Sequence, residues 1–151
     1  MTTKTKVEGD TLTVERLYDA SQSSVFDAWI DAAKTTHWWG CGQTTKVVST
    51  IEQEKDGCYQ HLMTIDGHGE YLIDGRLMEY KPPELLSYTM PGVDGGADMA
   101  VHVTFTAVGD QTKVTLVQSP VPDFLQDTVV AGWTASFERL ANFFTGARRA
   151  A

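Results

Sequence analysis

The sequence predicts an α+β fold in which one antiparallel sheet packs against a long C-terminal helix. Two observations lead to this prediction. Residues 44–119 carry β-branched and aromatic residues in short runs separated by Gly, Pro and Asp turn signals, a pattern typical of consecutive antiparallel strands. Residues 130–144 carry an apolar stripe at helical spacing. A single amphipathic helix must bury such a stripe, and the apolar face of the sheet is the surface available to it.

A strand and a short helix are predicted to open the fold. Leu12 and Val14 alternate with polar residues within Thr11 to Tyr18, which indicates a half-buried strand. The serines that follow offer N-cap oxygens for a helix: Ser21, Ser23 and Ser24. Apolar residues then fall on one helical face: Val25, Phe26, Trp29 and Ile30.

Six consecutive strands are predicted between Thr44 and Ser119. The clearest hairpin runs from Val101 to Ala107 and returns from Thr112 to Ser119, with Gly109-Asp110 as its turn. Its first strand places an apolar set on one face and a polar set on the other. The apolar set is Val101, Val103 and Phe105.

The C-terminal helix is predicted to begin between Asp123 and Asp127 and to end at Gly146. Carboxylates favour the positive end of a helix dipole, and glycine is a common terminator. The apolar stripe consists of Val130, Trp133, Phe137, Leu140 and Phe144.

Chain length, net charge and cysteine content narrow the kinds of protein that this sequence can encode. The 151 residues, without repeat or linker, predict a single domain over residues 1–151. Twelve basic against 20 acidic residues, a net charge of −8, argue against nucleic-acid or anionic-membrane partners. No signal peptide or membrane span is recognisable, so a cytoplasmic location is expected. Cys41 and Cys58 fit that compartment, and an intervening strand of roughly 30 Å predicts that they stay unpaired.

Common catalytic and metal signatures are missing from the sequence. There is no glycine-rich phosphate loop, nucleophile elbow or zinc motif, so no cofactor and no metal are predicted. Asp94 and Asp98 flank a glycine pair, but carboxylates in such a turn are usually solvated.

The ordered motifs resemble the family of homologues of the activator of the heat-shock protein 90 ATPase, within the START-like (SRPBCC, Bet v-like) superfamily. The elements that carry the resemblance are Val25-Phe26-Asp27-Ala28-Trp29, Trp38-Trp39-Gly40, Asp56-Gly57 with Tyr59, His61 and Met63, Gly75 leading into Pro82-Pro83-Glu84-Leu85, Val103-Thr104-Phe105 with Thr112 to Leu116, and Gly132-Trp133. Two positions depart from the family pattern. Cys41 stands where proline is usual, and Asp56 replaces the first of two glycines.

This resemblance implies the helix-grip fold. Its curved antiparallel sheet of about seven strands wraps around the long C-terminal helix, with short helices after the first strand. A ligand-accommodating cavity lies between sheet and helix. The superfamily includes carriers, receptors, enzymes and a chaperone-binding domain, so the fold alone selects no function.

The resemblance also suggests the walls of that cavity. Tyr59, His61 and Met63 share one strand face and would form the sheet side. Trp133 and Phe137, on the inner stripe of the last helix, would form the helix side, with core packing as the alternative. Gly132 beside them indicates that space matters there.

Trp38 and Trp39 are candidates for the mouth of the cavity. Because they are adjacent, one is expected to pack inward and the other to be partly exposed and to touch ligand. Core packing is again the alternative for both.

Three functional hypotheses follow. The leading one is binding of a small apolar or aromatic molecule. The second is a cofactor-independent enzyme of the cyclase/dehydratase type, with His61 as acid or base and Tyr59 as its hydrogen-bond partner, although a histidine bonded to a structural neighbour is commoner. The third is an interaction protein that activates the ATPase of a heat-shock protein 90 chaperone. The exposed edges of an open sheet are also compatible with a homodimer.

Overall fold

A long antiparallel sheet and a C-terminal helix dominate the computed structural model, which describes residues 2–93 and 95–150, with side chains up to residue 146. The strands are β1 (Lys4–Glu8), β2 (Thr11–Tyr18), β3 (Thr44–Ile51), β4 (Cys58–Ile65), β5 (Gly69–Lys81), β6 (Leu85–Met90), β7 (Met99–Val108) and β8 (Gln111–Ser119). The helices are α1 (Gln22–Ile30), α2 (Ala32–Thr35) and α3 (Gln126–Ala150), and a 3₁₀ turn (Asp123–Leu125) precedes α3.

The predicted α+β helix-grip architecture is confirmed. The strand order in the sheet is β1-β2-β8-β7-β6-β5-β4-β3, and every neighbouring pair is antiparallel. The short helices α1 and α2 connect β2 to β3, which lie far apart in this order. The crossover brings the segment after α2 next to α3, where the candidate site is found.

The expected strand number was wrong by one, because β1 extends the sheet to eight strands. All five residues of β1 are exposed, so Lys4–Glu8 carries no apolar alternation that a sequence pattern could reveal. Backbone pairing with β2, from Lys4 opposite Glu15 to Glu8 opposite Thr11, holds it in place.

The hairpin and the first helix formed as predicted. Ala107 lies opposite Thr112 across the β7–β8 turn, and the three apolar residues of β7 are buried. Of the candidate serines, Ser21 is the N-cap of α1, and its hydroxyl accepts a hydrogen bond from the backbone N–H of Ser24 at 3.3 Å. The cap satisfies a helix N–H that has no intrahelical partner.

Helix α3 begins where the acidic residues predicted, after the 3₁₀ turn at Asp123. The predicted end at Gly146 is wrong, because the helix continues to Ala150. Glycine ends a helix when it adopts a positive φ, and Gly146 does not. Among the described residues, no helix is both long and apolar enough to cross a membrane.

An aromatic cluster forms the core between sheet and helices. Trp29 on α1 lies at its centre, with ring-centroid distances of 4.7 Å to Trp38 and 6.0 Å to Trp133. The Tyr18 hydroxyl donates a hydrogen bond to the Phe137 carbonyl at 3.0 Å and so ties α3 to the inner strand β2. This core fills one end of the space between sheet and helix.

Candidate functional site

An apolar cavity of about 370 Å³ lies at the other end of that space. Its walls come from the ends of β4, β5 and β8, the β6–β7 connection, the segment after α2 and the first half of α3. Met63, Ile73 and Met99 represent the sheet wall, and Val129 and Trp133 the helix wall. The half-exposed ring of Tyr71 also borders it, so the cavity reaches the surface there.

A buried hydrogen-bonded pair interrupts these apolar walls. Trp133 Nε1 donates to Gln118 Oε1 at 2.7 Å, and both residues line the cavity. No charged side chain lines it among the described residues. The cavity therefore suits a mostly apolar molecule that makes few polar contacts.

Gly40, which also lines the cavity, is held against α3 by two hydrogen bonds between its backbone and the Ser136 side chain. The Ser136 hydroxyl donates to the Gly40 carbonyl at 2.6 Å and accepts from the Gly40 N–H at 3.1 Å. Arg139 donates to the same carbonyl at 3.1 Å. Gly40 has a φ of +118°, and a Cβ there would lie 2.6 Å from Thr44 Oγ1, so only glycine fits.

Ser136→Ala is expected to lower the free energy of unfolding by about 1–3 kcal/mol, because it leaves the buried Gly40 N–H without an acceptor. Chemical denaturation measures this change. Thr134→Ala is the control, since the Thr134 hydroxyl bonds only a carbonyl of its own helix, that of Val130. Equal losses in the two variants would show that the contact to Gly40 contributes nothing to stability.

Three of the seven residues proposed from the sequence line the cavity, namely Trp39, Met63 and Trp133. Tyr59 and His61 share the buried face of β4 with Met63 but do not line the cavity. A strand advances about 3.3 Å per residue, so the same face of β4 lies in the core at Tyr59 and reaches the cavity at Met63. Tyr59 lies at the core end, where its hydroxyl donates to the Trp29 carbonyl at 2.7 Å.

Phe137 and Trp38 also lie in the core rather than at the cavity. Phe137 is one helical turn beyond Trp133 and packs against Tyr18 at 6.2 Å. The expectation that one of the adjacent tryptophans is partly exposed is wrong. Trp38 is wholly buried and Trp39 is 4% exposed, because Trp38 donates to the Ala28 carbonyl at 3.0 Å while Trp39 turns towards the cavity.

His61 is separated from the cavity by the ring of Trp39. The two rings stack with centroids 3.7 Å apart, and Ser49 Oγ lies 2.8 Å from His61 Nδ1. Nε2 has no hydrogen-bond partner in the described part of the chain. Burial lowers the pKa of His61 to about 3, so the imidazole is neutral at physiological pH.

A family model for the Activator of Hsp90 ATPase homolog 1-like proteins matches residues 19–145. The chain belongs to this family. The matched range contains α1, the segment after α2, strands β3 to β8 and α3 up to its last turn. It therefore includes every residue of the cavity wall named above. No curated protein matches the chain.

Solved structures share the fold of this family member at low sequence identity. A Chromobacterium violaceum protein is 23% identical, with a TM-score of 0.80, covering 89% of this chain and 96% of its own. The AHSA1 protein from Silicibacter pomeroyi is 24% identical, with a TM-score of 0.77 and coverages of 89% and 97%. A Rhodobacter sphaeroides protein is 15% identical, with a TM-score of 0.82 and coverages of 97% and 99%. These likenesses support the fold alone.

Gln118 is the most informative of the cavity residues that sequence reasoning missed. It follows Val114 and Leu116 at the period of two that marks the buried face of β8. A polar residue at an apolar inward position was the available signal. Cys41, which departs from the family pattern, also lines the cavity, and its Sγ lies 3.3 Å from Thr44 Oγ1.

Within the described residues, no three side chains that commonly bind metals cluster together. Asp98 instead accepts a hydrogen bond from the Gly92 N–H at 3.0 Å. Asp94, the other carboxylate of that turn, lies outside the described residues. Cys41 and Cys58 are both free thiols in the structure.

Proposed function

We propose that this family member binds a small apolar or aromatic molecule in the cavity between the sheet and α3. The observation that carries the proposal is the cavity itself, with its volume of about 370 Å³ and its largely apolar walls. Ligand sites of about 300–1,000 Å³ are typical of small-molecule binders, and an apolar void of only about 150 Å³ can bind benzene.

The wall on the helix side supports this proposal. Gly132 lines the cavity, and a Cβ built there would meet only Cys41 Cβ, at 3.9 Å. Glycine inside a helix costs about 1 kcal/mol relative to alanine. A side chain at this position would therefore favour the helix but occupy the space that a ligand needs.

The other two hypotheses have less support from this geometry. A cyclase or dehydratase using His61 needs the imidazole to reach the bound molecule, and Trp39 lies between His61 and the cavity. Activation of a heat-shock protein 90 ATPase comes from the family description alone. If that hypothesis holds, adding the protein to the chaperone accelerates ATP hydrolysis.

Gly132→Leu tests the binding proposal, because the new side chain would extend into the cavity. We expect the affinity for the fluorescent apolar probe N-phenyl-1-naphthylamine to fall at least about tenfold, since overpacking costs roughly 1–3 kcal/mol. Fluorescence titration measures the affinity, and native mass spectrometry of the purified protein detects any molecule already bound.

Ala131→Leu is the matched control, because Ala131 is the preceding residue of α3 and is exposed. It should bind the probe as tightly as the native protein. Probe binding that is unchanged in Gly132→Leu, or absent from the native protein, would contradict the proposed site.

A further inference from the structure

The hydrogen bond between Gln118 and Trp133 fixes which end of the Gln118 amide faces the ligand space. Gln118 is fully buried, and its side chain lines the cavity. An indole N–H can only donate, so the amide oxygen must face Trp133, as the 2.7 Å contact shows. The amide nitrogen then points towards Met99, with Nε2 3.2 Å from the Met99 sulfur.

The N–H donors of Gln118 Nε2 lack a strong hydrogen-bond acceptor among the described residues. Nε2 carries two protons, and the thioether sulfur of Met99 is a weak acceptor. Buried amide groups in proteins normally find stronger partners. Met99 also lines the cavity and covers the fully buried nitrogen. Methionine side chains are flexible, so an oxygen atom of a bound molecule would reach Nε2 by displacing the thioether and would supply the stronger acceptor.

Two other polar side chains of the wall, Ser136 and Cys41, are already engaged. The Ser136 hydroxyl both donates to and accepts from Gly40. The Cys41 sulfur lies within hydrogen-bond distance of the Thr44 hydroxyl. Thr128 and Tyr71 also line the cavity, but both are exposed to solvent. Gln118 is thus the buried described side chain best placed to recognise a polar atom of the ligand.

The charge of the wall limits the ligand further. No cationic side chain is found among the described residues that line the cavity. Arg139 lies outside the wall and donates to the carbonyls of Gly40 and Gly42. A carboxylate placed beside Gln118 would have to lose its hydration without gaining a counter-ion, which is strongly unfavourable.

We propose that the ligand is a neutral, largely apolar molecule with a hydrogen-bond-accepting oxygen, such as a ketone or an ester, and that this oxygen accepts from Gln118 Nε2. This inference rests on the proposed function, because it assigns the ligand class of the same cavity. It disfavours acids whose carboxylate would lie at Gln118 in place of the neutral oxygen.

The test compares a ketone with a hydrocarbon of matched shape, 2-acetylnaphthalene and 2-isopropenylnaphthalene, in the native protein and in a variant without the polar pair. The variant combines Gln118→Leu with Trp133→Phe, since removing both partners leaves no buried polar group unpaired. Affinities are measured by displacement of N-phenyl-1-naphthylamine. The ratio of the hydrocarbon dissociation constant to the ketone dissociation constant should be about tenfold lower in the variant, which corresponds to one buried hydrogen bond.

An unchanged ratio would overturn the role of Gln118 while leaving the cavity as a binding site. Tight binding of 2-naphthoate to the native protein would overturn the preference for a neutral ligand. If none of the three compounds binds the native protein, the proposed function fails together with this inference.

A spectroscopic measurement tests the same contact without the double variant. The carbonyl stretch of ¹³C-labelled 2-acetylnaphthalene bound to the native protein should move to lower wavenumber than in hexane, because the oxygen accepts a hydrogen bond. A stretch at the hexane position would show that Gln118 does not donate to the ligand.

Discussion

Trp29→Ala is expected to lower the free energy of unfolding by about 3–5 kcal/mol, because truncation of a buried aromatic residue loses its transfer free energy and leaves a cavity. Trp29 is wholly buried, and its ring lies 6.0 Å from Trp133 and 6.1 Å from Phe137. Chemical denaturation measures the loss. A protein of this size typically has only about 5–15 kcal/mol of stability, so the variant should be close to unfolding at physiological temperature.

Comparing Trp29→Phe with Trp38→Phe separates the contribution of packing from that of the indole hydrogen bond. Trp29 Nε1 has no hydrogen-bond partner in the described part of the chain, so Trp29→Phe removes an unpaired donor. Trp38 Nε1 donates to the Ala28 carbonyl, which lies in the last turn of α1 and has no intrahelical partner. Trp38→Phe should therefore cost about 1–2 kcal/mol more than Trp29→Phe. Equal costs would show that packing alone determines both effects.

Most of the fold could be predicted because its elements carry apolar periodicity. The Val101, Val103 and Phe105 alternation predicted the hairpin and its buried face, and both are present. Strand β1 could not be predicted in this way, since Lys4–Glu8 is held by backbone pairing and buries no side chain. The end of α3 was misplaced because the sequence does not give the φ of Gly146.

The candidate site could be predicted only in part, because periodicity gives the face of an element and not the position along it. Met63 and His61 were correctly placed on one buried face, but only Met63 extends to the cavity. The access of His61 to the cavity depends on Trp39, which stacks on the imidazole from a different segment of the chain. Such contacts follow from the crossover between β2 and β3, which no local pattern encodes.

His61 should make the stability of the protein depend on pH between about 3 and 6.5. Burial lowers the pKa of His61 to about 3 in the folded state, whereas an unfolded histidine has a pKa of about 6.5. The unfolded chain binds more protons than the folded protein in this range. The contribution of His61 to the stability of the folded protein is therefore full above pH 6.5 and falls as the pH decreases towards 3. The loss attributable to His61 between pH 7.5 and pH 5 is about 2 kcal/mol.

His61→Phe isolates this effect, because phenylalanine keeps a ring against Trp39 and cannot be protonated. Tyr59, whose ring centroid is 4.6 Å from that of His61, stays neutral because burial raises its pKa well above the ordinary value. The stability difference between the native protein and His61→Phe should therefore shift by about 2 kcal/mol in favour of the variant from pH 7.5 to pH 5.

His68→Gln is the control, since it removes an exposed imidazole in the β4–β5 turn, and it should keep the pH dependence of the native protein. Denaturation curves at the two pH values give the stabilities, and NMR follows the His61 ring protons, which should not titrate between pH 5 and 8. Titration of that ring near pH 6.5 would mean that water reaches it past Trp39. An accessible imidazole at the inner end of the cavity would in turn strengthen the catalytic hypothesis at the expense of simple binding.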